Sequence, residues 1–119
     1  MKQAKIISIG PKAIDSHENI LILFGEEVTD TLREFSIIQE LDESEKLVLK
    51  TGSQIKFNDQ TYVVEQVGAS ANEHLNSIGH ISVIFDKSPK EDLLGSSSVY
   101  VSPYRLPDLS VGDMITYVE

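Results

Sequence analysis

Hydrophobic residues in this chain recur at a spacing of two, in short runs separated by turn-forming residues. That is the period of a half-buried strand rather than of a helix. Lys5–Ile9 (KIISI) is apolar and β-branched and stops at Gly10-Pro11, which predicts a strand and a turn. Asn19–Phe24 (NILILF) is a continuous apolar run closed by Gly25, as expected of a strand buried on both sides. Phe35–Leu41 (FSIIQEL) predicts a third strand, with Phe35, Ile37, Gln39 and Leu41 on one face and Ser36, Ile38 and Glu40 on the other. Between these two strands, Glu26–Glu34 has room for one helical turn. Asp42–Lys46 is a charged turn, and Leu47–Leu49 reads as a short strand before Thr51-Gly52. Gln54–Phe57 and Thr61–Val67 are alternating runs around Asn58-Asp59, the clearest hairpin signal in the chain. Toward the end, 87–98 is a polar loop with a possible helical turn at Glu91–Leu94. Val99–Ser102 is a short strand, Pro103–Gly112 a loop and Met114–Val118 the last strand.

One stretch breaks the alternation. In VGASANEHLNSIGHISVIFD (Val67–Asp86), Ser70 and Glu73 have the S-x-x-E spacing of a capping box, and Leu75 and Ile78 fall on one helix face. Gly79 is placed to end that helix in the left-handed conformation that glycine adopts cheaply. Beyond it the two-residue period resumes, with Ile81, Val83 and Phe85 alternating with His80, Ser82 and Ile84. His80 therefore stands where a rigid strand begins, beside a residue with no side chain. That position suits a reactive imidazole and equally a structural one that donates to a backbone carbonyl.

Seven or eight short strands with little helix predict an all-β fold, a small closed or nearly closed antiparallel barrel of about seven short strands with one short helix. Closure is favoured because it removes the exposed edges of a small open sheet. The chain of 119 residues reads as a single domain spanning 1–119, with no internal repeat or linker. Its hydrophobic fraction of 40% and charged fraction of 24% are those of a soluble globular protein. No apolar run approaches the ~18 residues of a membrane span, and the N-terminal apolar run is too short for a signal peptide. A cytoplasmic location without membrane insertion is the simplest expectation. With no cysteine, disulfides, thiol chemistry and Cys-rich zinc sites are excluded.

Charge adds one asymmetry to this picture. The chain carries a net charge of −9, and ten acidic residues against the single Arg33 fall between Asp15 and Glu45, so that segment holds the whole excess. Nucleic acid is not an expected partner, because binding it requires Lys and Arg to displace phosphate counterions. An acidic face can steer a basic protein partner, or simply keep the surface solvated.

Catalytic motifs are scarce. His17, His74 and His80 include no pair at metal-ligand spacing, and neither a metal nor a cofactor site is expected. His74, beside Glu73, reads as a lone surface histidine. G-x-S-x-G, P-loop and G-x-G-x-x-G patterns do not occur. Asp42-Glu43 and Glu91-Asp92 are adjacent in sequence and point apart, which gives no support to a two-carboxylate hydrolase.

The Val67–Asp86 block resembles the IIA component of the glucitol/sorbitol-specific bacterial sugar phosphotransferase system. The likeness lies in the Val-Gly, the Asn-x-x-Leu-like helix spacing, the Ile-Gly-His and the alternating strand ending Phe-Asp. It extends in order over nearly the whole chain, through the Ile-Gly that ends the first strand, ILILFGE, Leu32–Leu41 and the closing Gly-Asp-x-Ile. The resemblance implies a phosphohistidine carrier that takes a phosphoryl group from the phosphocarrier protein HPr and passes it to the membrane IIB/IIC permease subunits. Neutral imidazole is a good nucleophile and forms a labile phosphoramidate. The family's acceptor histidine follows an aromatic-x-x-Ile on the third strand. Here that segment reads Phe35-Ser36-Ile37-Ile38-Gln39, so the acceptor position falls on Gln39, whose amide cannot hold a phosphoryl group. Three readings follow: carriage moved to His80, with Ser82 as a hydrogen-bond donor; a non-carrier regulatory or interaction module that keeps the docking surface; or an unrelated small barrel that binds a small molecule.

Overall fold

The computed structural model describes residues 2–41, 46–87 and 96–119. Eight strands close into a barrel: β1 (Lys2–Ile9), β2 (Ile20–Phe24), β3 (Ile37–Leu41), β4 (Gln54–Phe57), β5 (Gln60–Val67), β6 (Ile81–Ile84), β7 (Ser98–Ser102) and β8 (Met114–Val118). Around the wall the order is β1-β3-β2-β6-β7-β5-β4-β8, and β8 pairs back onto β1. Two short helices, α1 (Asp30–Arg33) and α2 (Ala71–Ile78), lie in the connections. The expected closed barrel is thus present, with eight strands where about seven were expected, and α1 forms where Glu26–Glu34 had room for one helical turn.

The predicted antiparallel wall has two exceptions: β2 pairs parallel with β3, and β6 with β7. A parallel pair needs a crossover long enough to return the chain to its starting end. The 25–36 connection, which holds α1, supplies this between β2 and β3. The two-residue period is clear in β2, β4, β5 and β8, whereas β3 and β7 are buried on both faces over most of their length. Leu21 and Leu23, Ile55 and Phe57, Tyr62 and Val64, Ile81 and Val83, and Ile115 and Tyr117 all point inward and are buried. β2 was expected to be buried on both sides, but Ile20, Ile22 and Phe24 on its outer face are only half-buried. Phe57, Tyr62 and Phe85 fill one end of the interior, with ring centroids 4.9–6.2 Å apart. Edge-to-face pairs at that spacing gain beyond their area burial.

The hairpin at Asn58-Asp59 forms as predicted, with Asn58 at φ 57, a conformation asparagine tolerates better than most residues. Three local expectations change. Ser70 is the N-cap of α2, but its side chain makes no capping hydrogen bond, so the S-x-x-E spacing does not form a capping box. The buried face of α2 is Ala71 and Leu75, and Ile78 is exposed, because Gly79 turns the chain away within one residue. Residues 47–49 are not a strand. Their backbone pairs with side chains of α2 instead. Asn76 accepts from Leu47 N (2.8 Å) and donates to Leu47 O (2.6 Å), while Asn72 accepts from Leu49 N (2.7 Å) and donates to Leu49 O (2.9 Å). A carboxamide offers the same donor–acceptor pair as a peptide group, so two asparagines one helical turn apart replace a neighbouring strand. The turn expected within Asp42–Lys46 and the one at Glu91–Leu94 lie in or across residues outside those described.

The junction of α2 with β6 is tightly packed. Gly25 N donates to Ile78 O (3.0 Å), and Gly79 adopts the left-handed conformation at φ 67. A Cβ on Gly79 would lie 2.8 Å from the Gly25 nitrogen, and one on Gly25 would lie 2.8 Å from the Ile78 oxygen. Replacing Gly79 by alanine should therefore lower stability by roughly 2 kcal/mol or more, from the left-handed backbone and the backbone overlap together. Urea unfolding of Gly79→Ala reads this directly, and a loss below about 0.5 kcal/mol, the size of an ordinary surface change, would contradict the packing described.

Candidate functional site

The peptide between Gly79 and His80 separates two polar side chains that the sequence singled out. On its inner side lies Gln39, carried inward by β3 with Ile37 and 1% exposed. Gln39 Nε2 donates to Gly79 O (3.0 Å), and Gln39 Oε1 accepts from the Tyr117 hydroxyl (2.6 Å). A carbonyl can only accept, so this pair fixes the amide orientation. Both ends of Gln39 are satisfied inside the barrel. Burial pushes the Tyr117 hydroxyl pKa far up despite its bond to Gln39, so Tyr117 stays a neutral donor at any ordinary pH.

His80 lies on the other side of that peptide. It precedes β6 on the face opposite Ile81 and Val83, against the outside of the wall, and it is half-buried. Its ring stacks on Phe24 of β2, with centroids 4.1 Å apart and planes 15° from parallel. His80 Nδ1 donates to Leu23 O at 3.1 Å, which leaves the neutral ring with its lone pair on Nε2. Among the described residues Nε2 has no hydrogen-bond partner. It is the nitrogen that the bond to Leu23 leaves unused. Desolvation holds the His80 pKa below the ordinary histidine value, opposed by the bond to Leu23 and reinforced by His74. The backbone-carbonyl bond expected of a structural imidazole is thus present, but it occupies only one of the two nitrogens.

His74 is not the lone surface residue that its sequence position suggested. It is half-buried on α2, its Nδ1 is hydrogen-bonded to the Ser97 hydroxyl, and its ring lies 6.3 Å from that of His80, 30° from parallel. The turn at Gly79 brings the two together, since His80 N donates back to His74 O (3.3 Å). Histidines six apart across a helix-ending glycine were the signal available in the sequence. Ser97 could not be found that way, because it arrives through the parallel β6–β7 pairing, where Ser82 N donates to Ser97 O (3.0 Å). Ser82 follows His80 on the outer face. His17 is exposed in the turn before β2, its backbone N–H held by Asp15 Oδ1.

Gln39 and His80 do not share a cleft. A cleft of about 580 Å³ opens beside Gln39 and Gly79, rimmed by Glu26, Glu27, Glu40, Lys2 and Lys46, and His80 is not part of its lining. Much of the acidic segment therefore borders the Gln39 side of the wall. Among the described residues no three histidine or carboxylate side chains converge to hold a metal ion, and no helix is long and apolar enough to cross a membrane.

Comparison with known proteins gives one consistent result. The family model described as the PTS system glucitol/sorbitol-specific IIA component matches residues 1–116. A protein of Escherichia coli K12 described as the PTS system glucitol/sorbitol-specific EIIA component is 29% identical over 116 residues, which is 97% of this chain and 92% of the relative. Its counterpart in Shigella flexneri is 28% identical over the same shares. Among solved structures, the crystal structure of a PTS system IIA component from Enterococcus faecalis V583 superposes with a TM-score of 0.94 at 38% identity, covering 98% of this chain and 99% of that one. With its barrel, its Gly-His junction and a family match over nearly its whole length, the chain belongs to the glucitol/sorbitol-specific IIA components of the sugar phosphotransferase system.

Proposed function

We propose that this IIA component relays a phosphoryl group from HPr to the IIB/IIC subunits of a membrane sugar permease, with His80 as the acceptor in place of the residue at position 39. The observation that carries this reading is the division of labour in the His80 ring: Nδ1 is spent on Leu23 O, and Nε2, with no hydrogen-bond partner among the described residues, keeps the lone pair. In the transfer, the Nε2 lone pair attacks phosphorus as the donor's N–P bond breaks, and that bond's electron pair returns to the donor imidazole. No proton need move, because the positive charge that develops on the His80 ring stays on an N–H already bonded to a carbonyl. Phe24 limits ring rotation, so the nucleophile is held in place before the donor arrives.

A second reading is favoured by Gln39. Its amide is buried and fully hydrogen-bonded, so the family's acceptor position is chemically inert here. A chain that kept only this side of the molecule would dock HPr without carrying phosphate. The acidic rim of the adjoining cleft suits a basic partner in either case.

Incubation with phosphoenolpyruvate, the first enzyme of the system and HPr should label the wild-type chain and leave His80→Ala unlabelled. Label that persists in His80→Ala, or none in the wild type, removes the carrier reading. In an imidazole NMR titration, His80 should take up its proton below pH 6.5. The unfolded chain then binds that proton first, so this group's contribution to stability is present above 6.5 and is lost as the pH falls below it. A midpoint at or above 6.5 would contradict the desolvated, carbonyl-bonded ring. For the docking reading, HPr should bind His80→Ala at low salt and dissociate as salt rises, because a steered charge contact is screened. Absence of low-salt binding would remove that reading.

A further inference from the structure

Resting on the assignment of His80 as acceptor, we infer that His74, anchored by Ser97, holds the phosphoryl group that His80 receives by hydrogen bonding to one of its oxygens. Three observations support this. The two rings lie 6.3 Å apart and 30° from parallel, so a phosphoryl group on the edge of one comes within reach of the other. Each ring has its Nδ1 occupied, His74 by Ser97 and His80 by Leu23 O. Neither Nε2 has a hydrogen-bond partner among the described residues, and both rings are only half-buried.

When the Ser97 hydroxyl donates to His74 Nδ1, the His74 proton resides on Nε2, next to the His80 ring. The phosphoryl oxygens carry the group's negative charge throughout the transfer, and an N–H in that position gives one of them a hydrogen bond without reorganisation. His74 approaches His80 because the glycine-ended helix folds back, and Ser97 approaches His74 because β7 runs parallel to β6. The pair is therefore built by the backbone rather than by mobile surface side chains. Ser97 sets the tautomer and orientation of a residue that does not itself accept phosphate.

Single-turnover transfer from phospho-HPr tests this in the full chain. His74→Ala should lower the maximal rate about tenfold or more, as expected for loss of one charge-assisted hydrogen bond, while half-saturation by phospho-HPr stays unchanged. His74→Gln, which keeps an N–H donor, should recover part of that loss, and Ser97→Ala, which leaves the imidazole present but unanchored, should slow transfer severalfold. A purely structural role for His74 would instead shift urea midpoints and leave the maximal rate of the folded fraction intact. Should His74→Ala fold poorly, the Ser97→Ala and His74→Gln rates decide the matter, and wild-type rates in both overturn the inference. Label in the wild type that is lost in His80→Ala but unaffected by these changes overturns this inference alone. No label in the wild type overturns it together with the function on which it rests.

Discussion

The close backbone approach between Gly25 and Gly79 decides where the polar residues of the protein stand. Gly25 N bonds to Ile78 O, and neither glycine has room for a Cβ. With Gly79 in the left-handed conformation, only Gly79 and His80 separate α2 from β6, and the chain reverses onto the end of β2. His80 is then fixed against Phe24 and Leu23 of β2, and its backbone nitrogen faces back to His74. A larger residue at either glycine would separate helix from wall and dissolve these contacts together.

The same junction explains how one peptide unit can serve two environments. Inside, Gly79 O is the acceptor that satisfies the buried Gln39 amide, and Tyr117 closes that chain of hydrogen bonds from β8. A buried polar side chain with both ends matched stabilises the arrangement, whereas one left half-matched would cost about 1–3 kcal/mol. Outside, desolvation favours the neutral imidazole, and only one of its two nitrogens is spent on a backbone carbonyl. The two positions differ in chemistry because one side of the wall is dry and the other is half wet, although they are joined through a single carbonyl.

Residues 47–49 illustrate a different economy. A barrel of eight short strands has little spare sheet, and this segment finds its backbone partners in Asn72 and Asn76 of α2. The helix is thereby tied on two sides: to residues 47–49 by carboxamides and to the interior by Ala71 and Leu75. Such ties hold His74 at a constant height above the outer face, which any role for the His74–His80 pair requires.

Much of this was legible in the sequence. The alternation of β-branched residues gave the strands and the inward face of β3, because a two-residue period has only one physical solution when one side is buried. Gly79 announced the end of α2, since few residues other than glycine hold its backbone angles without strain. Sequence also singled out Gln39 and His80, but it did not say how they stand to each other and it left His74 alone. It promoted 47–49 to a strand, because Leu-Val-Leu has strand composition whatever its partner, and it credited Ser70 with a cap that the side chain does not make. What the chain determined by itself was local: period, turn chemistry, and the helix stop that pairs His74 with His80 across six residues. Tertiary structure alone decided which side of the wall each polar group faces, the parallel pairings that bring Ser97 to His74, and the partners that make Gln39 inert while leaving one nitrogen of His80 free. Those contacts join residues 23, 39, 80, 97 and 117, whose separations are set by barrel closure and strand order, and no neighbouring residue encodes either.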